Sequence, residues 1–278
     1  MFKGRTLLLV TKHGKEKVIS PILEKELGVK CLVTENFDTD MLGTFTGDVE
    51  RKDDPIMTAR KKCHLALEFS SYDLALASEG SFGPHPSLFF VPADDEFLVL
   101  IDKKNDLEII ARELSIKTNF SGSEIRTEEE LCEFARNAKF PSHRLIVRRT
   151  KNDFSEMVKG IGDKHLLKNT FSFFSTNYGA AFVETDMRAM YNPTRMRVIE
   201  KATKKLADKI KTSCPVCETP GFGITEVRTG LPCQICNYPT KSTLSYKYSC
   251  LKCSYNREEK YPDGKFTEDP MWCDLCNP

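Results

Sequence analysis

No run of about 18 consecutive apolar residues occurs in the 278-residue chain, so a membrane-spanning helix is not expected. Nor is there a surplus of charge. Lys and Arg number 41 against 40 Asp and Glu, a formal net charge of +1, which removes any bulk electrostatic argument for nucleic acid. Internal repeats of solenoid period and low-complexity tails are missing, which excludes a stacked-repeat architecture. The opening MFKGRTLLLVTKHGK has a charged start and a short apolar run but no small-residue cleavage site, so it reads as a first strand and not as a secretory leader. With 40% hydrophobic residues, what is left is a soluble globular chain long enough for two domains.

Cysteine, by contrast, is plentiful and lopsided. Cys31, Cys63 and Cys132 are scattered, while the other eight of eleven form four Cys-x-x-Cys pairs: Cys214/Cys217, Cys233/Cys236, Cys250/Cys253 and Cys273/Cys276, with 15, 13 and 19 residues between them. Such a pair presents two thiolates to one ion, and a tetrahedral Zn²⁺ needs two pairs. Eight ligands therefore give two closed four-cysteine sites, whose zinc holds structure and performs no chemistry. Disulfides or redox dithiols are the alternative, and the even deployment of the pairs argues against them. Metal-bound thiolates point to a reducing, cytoplasmic setting. Two Zn²⁺ on eight thiolates would take the formal charge from +1 to −3. The runs Cys233 to Tyr238 and Cys250 to Tyr255 resemble the two knuckles of one zinc ribbon around the strand-like TLSYKYS. A nested pairing, inner pairs together and outer pairs together, is the expectation, with sequential pairing as its rival. The three scattered cysteines are expected to be buried as small hydrophobes.

Ahead of the cysteines the pattern is α/β, a mixed sheet with flanking helices. TLLLV, a helix with Val18, Ile22 and Leu23 on one side, and GVKCLVT make a βαβ opening, with Pro21 inside the helix. A polar loop from Glu35 leads to a helix starting at Pro55, with Met57, Lys61, His64 and Leu65 at helical spacing. The segments YDLALA, SLFFVPA, EFLVLID and LEIIARE read as strands. Beyond them come a helix at EEELCEFARNA, a strand at HRLIVRRT and a helical region around 153–168. Asn192-Pro193 reads as the N-cap and first turn of a last helix with Met196, Ile199, Leu206 and Ile210 on one stripe. Seven Lys or Arg and two acids fall between residues 194 and 211. The expected division is 1–212 for the α/β domain and 213–278 for the zinc module.

Within LASEGSFGPHPSLFFVPADDE, Glu79 follows an apolar run and precedes glycines and prolines, which places it at a strand end facing an irregular loop. A carboxylate so placed can ligate Mg²⁺ or take a proton from water. Asp94, Asp95 and Glu96, read as a polar turn between two strands, could supply further acids, and His85 could orient a reacting group. The loop Thr11-Lys12-His13-Gly14-Lys15 enters a helix N-terminus, where backbone N–H groups and lysines suit a phosphate, and Arg60 adds a nearby cation. The pattern GxxxxGK[ST] is absent, so this is no Walker loop. Pro141 to Arg144 and Glu184 to Met196 concentrate further polar groups that could face the same cleft.

The order strand, TKHGK loop, helix, strand, acidic loop, Ala59-Arg60 helix and strand ending in Ser78-Glu79-Gly80-Ser81 is similar, over roughly the first 100 residues, to the inosine-triphosphate pyrophosphatase superfamily. That resemblance implies Mg²⁺-dependent hydrolysis of non-canonical nucleoside triphosphates. The superfamily motif Thr-x-Asn-x-x-Lys meets Thr11 here, but His13 at the Asn position and Glu16 at the Lys position, with Lys15 and Lys17 on either side. Over its full length, with ASEGSFGPHP, TDMRAMYNPTRM and the terminal CDLCNP, the chain resembles a bacterial family of uncharacterised proteins. Two classes of function follow. One is a metal-dependent hydrolase of nucleotides or related phosphate esters. The other is a non-catalytic adaptor, binding nucleic acid or a protein through the zinc module and the basic helix before it.

Overall fold

The computed structural model describes residues 1–33 and 54–278. Most of the polar loop expected between residues 35 and 54 lies outside them. Contacts divide the chain into two units, Met1–Ala207 and Asp208–Pro278.

The first unit opens as expected. Strand β1 (Thr6–Val10), helix α1 (Glu16–Leu27) and strand β2 (Lys30–Val33) form a βαβ unit with β1 and β2 parallel. Gly28, left-handed at φ 66, ends α1 by donating its N–H to Glu24. The side that packs is set by Ile19 and Leu23, both fully buried, whereas Val18 and Ile22 are half-buried. Helix α2 (Pro55–Glu68) starts where predicted, with Asp54 accepting from Ile56 and Met57. Its buried face is Thr58, Ala59, Lys62, Cys63, Ala66 and Leu67; Met57, Lys61 and His64 are on the exposed side. The spacing was read correctly and the face was not, because Lys62, a charged residue, lies within the buried stripe.

Strands β3 (Leu74–Pro84), β4 (Pro92–Asp102) and β5 (Leu107–Ser115) complete a mixed sheet in the order β2-β1-β3-β4-β5, with β3 parallel to β1 and β3-β4-β5 antiparallel. The expectation of a strand ending before Glu79 is corrected here. β3 continues through Glu79 and Gly80 to Pro84, held residue by residue against β4 from Leu74↔Asp102 to Pro84↔Pro92. Gly80 suits the strand because a Cβ there would run into the Glu96 carboxylate and the Arg195 guanidinium. Asp94, Asp95 and Glu96 are likewise not a turn; they are strand residues of β4. The turn is Leu88 to Phe90, expected to be a strand. His85 Nδ1 accepts from the Ser87 and Leu88 N–H groups, and Val91 donates to Leu88. Phe89 and Phe90 are 78% and 87% exposed there. One face of the sheet packs Leu8, Val10, Ala75, Ala77, Val99 and Ile101 on Ala59, Cys63, Ala66 and Leu67 of α2.

A second sheet in this unit, unforeseen as a separate layer, is antiparallel in the order β6-β9-β7-β8. It comprises β6 (Gly122–Ile125), β7 (Leu145–Arg148), β8 (Met157–Ile161) and β9 (Ala181–Thr185), with α3 (Glu128–Asn137) and α4 (Lys164–Tyr178) packed through Leu131, Ala135, Leu167, Phe171 and Phe174. The helix expected from 153 begins only at Lys164, because Met157 to Ile161 pair with β7. Helix α5 (Pro193–Lys211) follows, capped by Asn192, whose Oδ1 accepts from Arg195 N.

The second unit is a meander of β10 (Gly223–Thr229), β11 (Thr243–Ser249) and β12 (Asn256–Lys260). No helix among the described residues is long and apolar enough to cross a membrane.

Candidate metal centres and a buried charge cluster

The four Cys-x-x-Cys turns share one backbone device. The residue after each second cysteine donates its N–H to the first cysteine's carbonyl: Glu218 to Cys214, Asn237 to Cys233, Ser254 to Cys250 and Asn277 to Cys273. In the first three, that residue is left-handed, at φ 57 to 59. This folds each short segment so that both thiols face one point. Two tetrads result: Cys214, Cys217, Cys250 and Cys253, and Cys233, Cys236, Cys273 and Cys276, each with sulfurs within 4.8 Å of one another.

The cysteines are free thiols, not disulfides. Sulfur separations across the pairs are 3.6 and 3.6 Å in the first tetrad and 3.9 and 3.6 Å in the second. A tetrahedral ion with bonds of about 2.3 Å requires sulfurs about 3.8 Å apart, so the donor sets fit a metal ion. The nested pairing is corrected: first joins third and second joins fourth. The antiparallel β10-β11 pairing accounts for this, because Gly223 opposite Ser249 brings the first and third turns to the same end of the ribbon. Phe222, Tyr248 and Tyr255 pack around Cys214 and Cys250.

In the first unit, the acids expected to act together are distributed over two faces of the sheet. Glu79 turns toward α2, where Lys62 Nζ meets its Oε1 at 2.5 Å, both side chains being buried. Glu96 lies opposite Gly80 on the other face, and its Oε1 accepts from Arg195 Nε of α5 at 2.6 Å. Arg195 also donates to Met187 O and sits over the Phe82 ring, its guanidinium 5.0 Å from the centroid. Asp94, two residues from Glu96 and on the same face, is fully buried. Neither of its oxygens, nor Glu96 Oε2, has a hydrogen-bond donor.

One proton shared between these carboxyls resolves that deficit, because a protonated Asp94 can donate to Glu96. Burial first, and then the Glu96 charge, push Asp94 up to about 8 against the opposing pull of Arg195 and Lys15. Lys15, also buried, donates to Ser78 O at 2.7 Å and Ser78 Oγ at 3.3 Å. Desolvation lowers it to about 8; the Glu96 and Glu79 charges oppose the fall, while Arg195 and Lys62 add to it. Lys15, Lys62, Arg195, Glu79, Asp94 and Glu96 thus form one buried electrostatic cluster beside the C-terminal end of β1.

The remaining predicted residues sit elsewhere. Asp95 points to the opposite face from Asp94 and holds Arg112 through two bonds of 2.7 Å. Arg60 is bidentate on Glu108. His85 is six strand positions, about 20 Å, from Glu79 and caps the hairpin turn. Thr11 is buried with its hydroxyl on Lys12 O, and His13 is left-handed at φ 68. Among the described residues no carboxylate trio gathers as the thiols do.

The two polar stretches left open do meet. Asp186 N donates to Arg144 O, the Arg144 guanidinium lies 4.2 Å from the Tyr191 centroid, and His143 Nε2 accepts from Thr194 N. Burial lowers the His143 pKa, which keeps Nε2 available as that acceptor. Asp186 and Arg188 pair with each other at 2.6 Å.

The sequence put Arg195 both in the polar stretch Glu184 to Met196 and at the start of a basic helix face, but gave it no partner and no role beside Glu96. The rest of that face is largely engaged: Lys205 and Lys201 with Glu113, Lys204 with Glu200, and Lys211 with Asp208. Lys62 was visible only as a lysine among helix cations; its place between Ala59 and Ala66 in the apolar stripe was the available signal.

Comparison with known proteins places residues 62–278 in a match to a single family model, a domain of unknown function designated DUF6671. The chain belongs to that family. The match takes in Glu79, Asp94, Glu96, Arg195 and all eight clustered cysteines, and leaves Lys15 outside. No curated protein matches. Among solved structures, protein VC0702 from Vibrio cholerae is similar over 73% of this chain and 93% of its own, at 7% identity and a TM-score of 0.35.

Proposed function

We propose that the first unit hydrolyses nucleotides or related phosphate esters, and that the tetrads of the second hold two structural zinc ions. The observation that carries the first part is the burial of six ionisable side chains around the end of β1, where a loop enters α1, with Lys62 and Glu79 on one face of the sheet and Arg195, Asp94 and Glu96 on the other. Folds seldom bury three basic side chains with three carboxyl groups for stability alone, and ligand sites of α/β sheets lie at the carboxyl ends of parallel strands. The resemblance of the first 100 residues to inosine-triphosphate pyrophosphatases supports the same reading.

In this reading Lys12 and Lys15 receive the phosphate, and Glu79, held by Lys62, takes a proton from water. Asp94 and Glu96 carry the oxygens best suited to a hard cation, which would displace the proton they otherwise share. Bound there, Mg²⁺ would supply charge neutralisation for the phosphate. The decisive experiment measures phosphate release from nucleoside mono-, di- and triphosphates with Mg²⁺ or Mn²⁺. Turnover of at least one substrate is expected, with Glu79→Gln reducing it about a hundredfold in a chain still folded by circular dichroism. No release from any substrate, or a folded Glu79→Gln protein at full activity, would discard the reading.

A second reading concerns the second unit. Ile235, Met271, Trp272 and Leu275 belong to or adjoin the turns of one tetrad and are all more than 60% exposed, Trp272 among them at 65%. Such exposure favours a protein partner over nucleic acid, which would call for cations. Reduced zinc-bound thiolates fit a cytoplasmic setting.

A further inference from the structure

Helices α3 and α4 leave a groove of about 410 Å³ between them, within the range of roughly 300–1,000 Å³ usual for small-molecule sites. Its apolar lining is Leu131, Ala135, Phe140 and Leu167. Its two lips are built alike. On α3, Cys132 and Arg136 are four residues apart; on α4, Lys164 and Lys168 are four apart. Among the described residues no carboxylate lines it. Glu128 takes Lys168 at 2.9 Å, and Asp163 is engaged with the His165 and Leu166 N–H groups. Arg136 and Lys164 have no ion pair or side-chain hydrogen bond among the described residues.

An apolar trough with unneutralised cations on both lips complements a ligand of apolar body and anionic head. We propose that this groove binds a small amphipathic carboxylate, of the class of medium-chain fatty acids, with its chain along Leu131, Ala135 and Leu167 and its head between Arg136 and Lys164. The volume of the trough favours a single small molecule over a protein segment. The site is independent of the phosphate-ester reading, resting on the other sheet and the other hydrophobic core.

The test is calorimetric titration of the full zinc-loaded chain with decanoate, decanol and decyltrimethylammonium. Decanoate is expected to saturate one site with micromolar affinity, and to slow alkylation of Cys132, which is exposed on the α3 lip. The cationic amphiphile should not bind. Arg136→Glu with Lys164→Glu, both at exposed positions, should weaken decanoate at least tenfold without changing the circular dichroism. Ala135→Phe should block the trough; if that variant misfolds, the charge reversals still decide. Failure of decanoate to saturate, equal binding of the cationic amphiphile, or unchanged affinity after both charge reversals would each overturn the proposal. So would a change in the fluorescence of Trp272, the single tryptophan, as the main response, since that would locate binding in the second unit.

Discussion

A carboxyl buried without donors, such as Asp94, has a consequence for stability whatever the protein catalyses. Its pKa is raised from an ordinary carboxylate value to about 8 in the folded state. Between those two values the folded chain holds a proton that the unfolded chain has released. This contribution to stability is therefore complete in acid and is lost as pH rises toward 8. Asp94→Asn, which keeps the shape without the titration, should be more stable than the parent at pH 8, with the difference vanishing near pH 4. Urea unfolding across that range measures it, and parallel pH profiles for the two proteins would contradict the shared proton. Glu79 behaves differently, because it is one half of a buried pair with Lys62. Replacing it alone by Leu should cost about 3–5 kcal/mol through the stranded ammonium, while Glu79→Leu with Lys62→Met should recover most of the loss. A single variant as stable as the parent would mean that Lys62 escapes to water.

Among the elements, the cysteine turns matter most, because their pairing is crossed. Each tetrad encloses one turn of the other along the chain, so losing one centre frees the segment that carries a turn of the other. Metal binding and folding are then one event for the whole set. Cys250→Ser, which removes a ligand of the first tetrad only, is expected to release metal from both. The metal-to-protein ratio should fall from two to well below one, and a ratio of one would show the centres to be independent. The β3-β4 hairpin illustrates the opposite case of an element decided by pairing and not by composition. Gly80, Gly83 and Pro84 are poor strand formers, yet continuous bonding to β4 keeps them extended. His85 then serves at the turn, as acceptor for two backbone N–H groups, a role that no spacing rule assigns to it.

Across the whole molecule, we propose that the α/β part and the zinc module fold as separate domains, 1–212 and 213–278. A chain ending at residue 212 should retain helix and sheet circular dichroism and unfold cooperatively, because the clusters that pack α2 on one sheet and α3 and α4 on the other, and the buried stripe of α5 from Val198 to Ile210, all lie before that point. Loss of that signal would argue for one interlocked domain. The full chain, purified under reducing conditions, should carry two Zn²⁺ by elemental analysis, and chelation should abolish the order of the second unit.

The amino-acid sequence by itself determined the local chemistry. The βαβ opening, the helix start at Pro55, the cap at Asn192 and the eight clustered cysteines were all legible, because each is written in residues close along the chain. Of the scattered cysteines, Cys63 is buried as expected, but Cys132 is exposed and Cys31 half-buried. Only the tertiary structure decided what depends on distant partners. The crossed grouping of the cysteine turns follows from strand register, and the opposed orientations of Glu79 and Glu96 follow from alternation along paired strands. Arg195, 99 residues from Glu96, shows the reason most clearly: a charge on a helix reads as solvated until the fold removes its water and supplies its counter-ion.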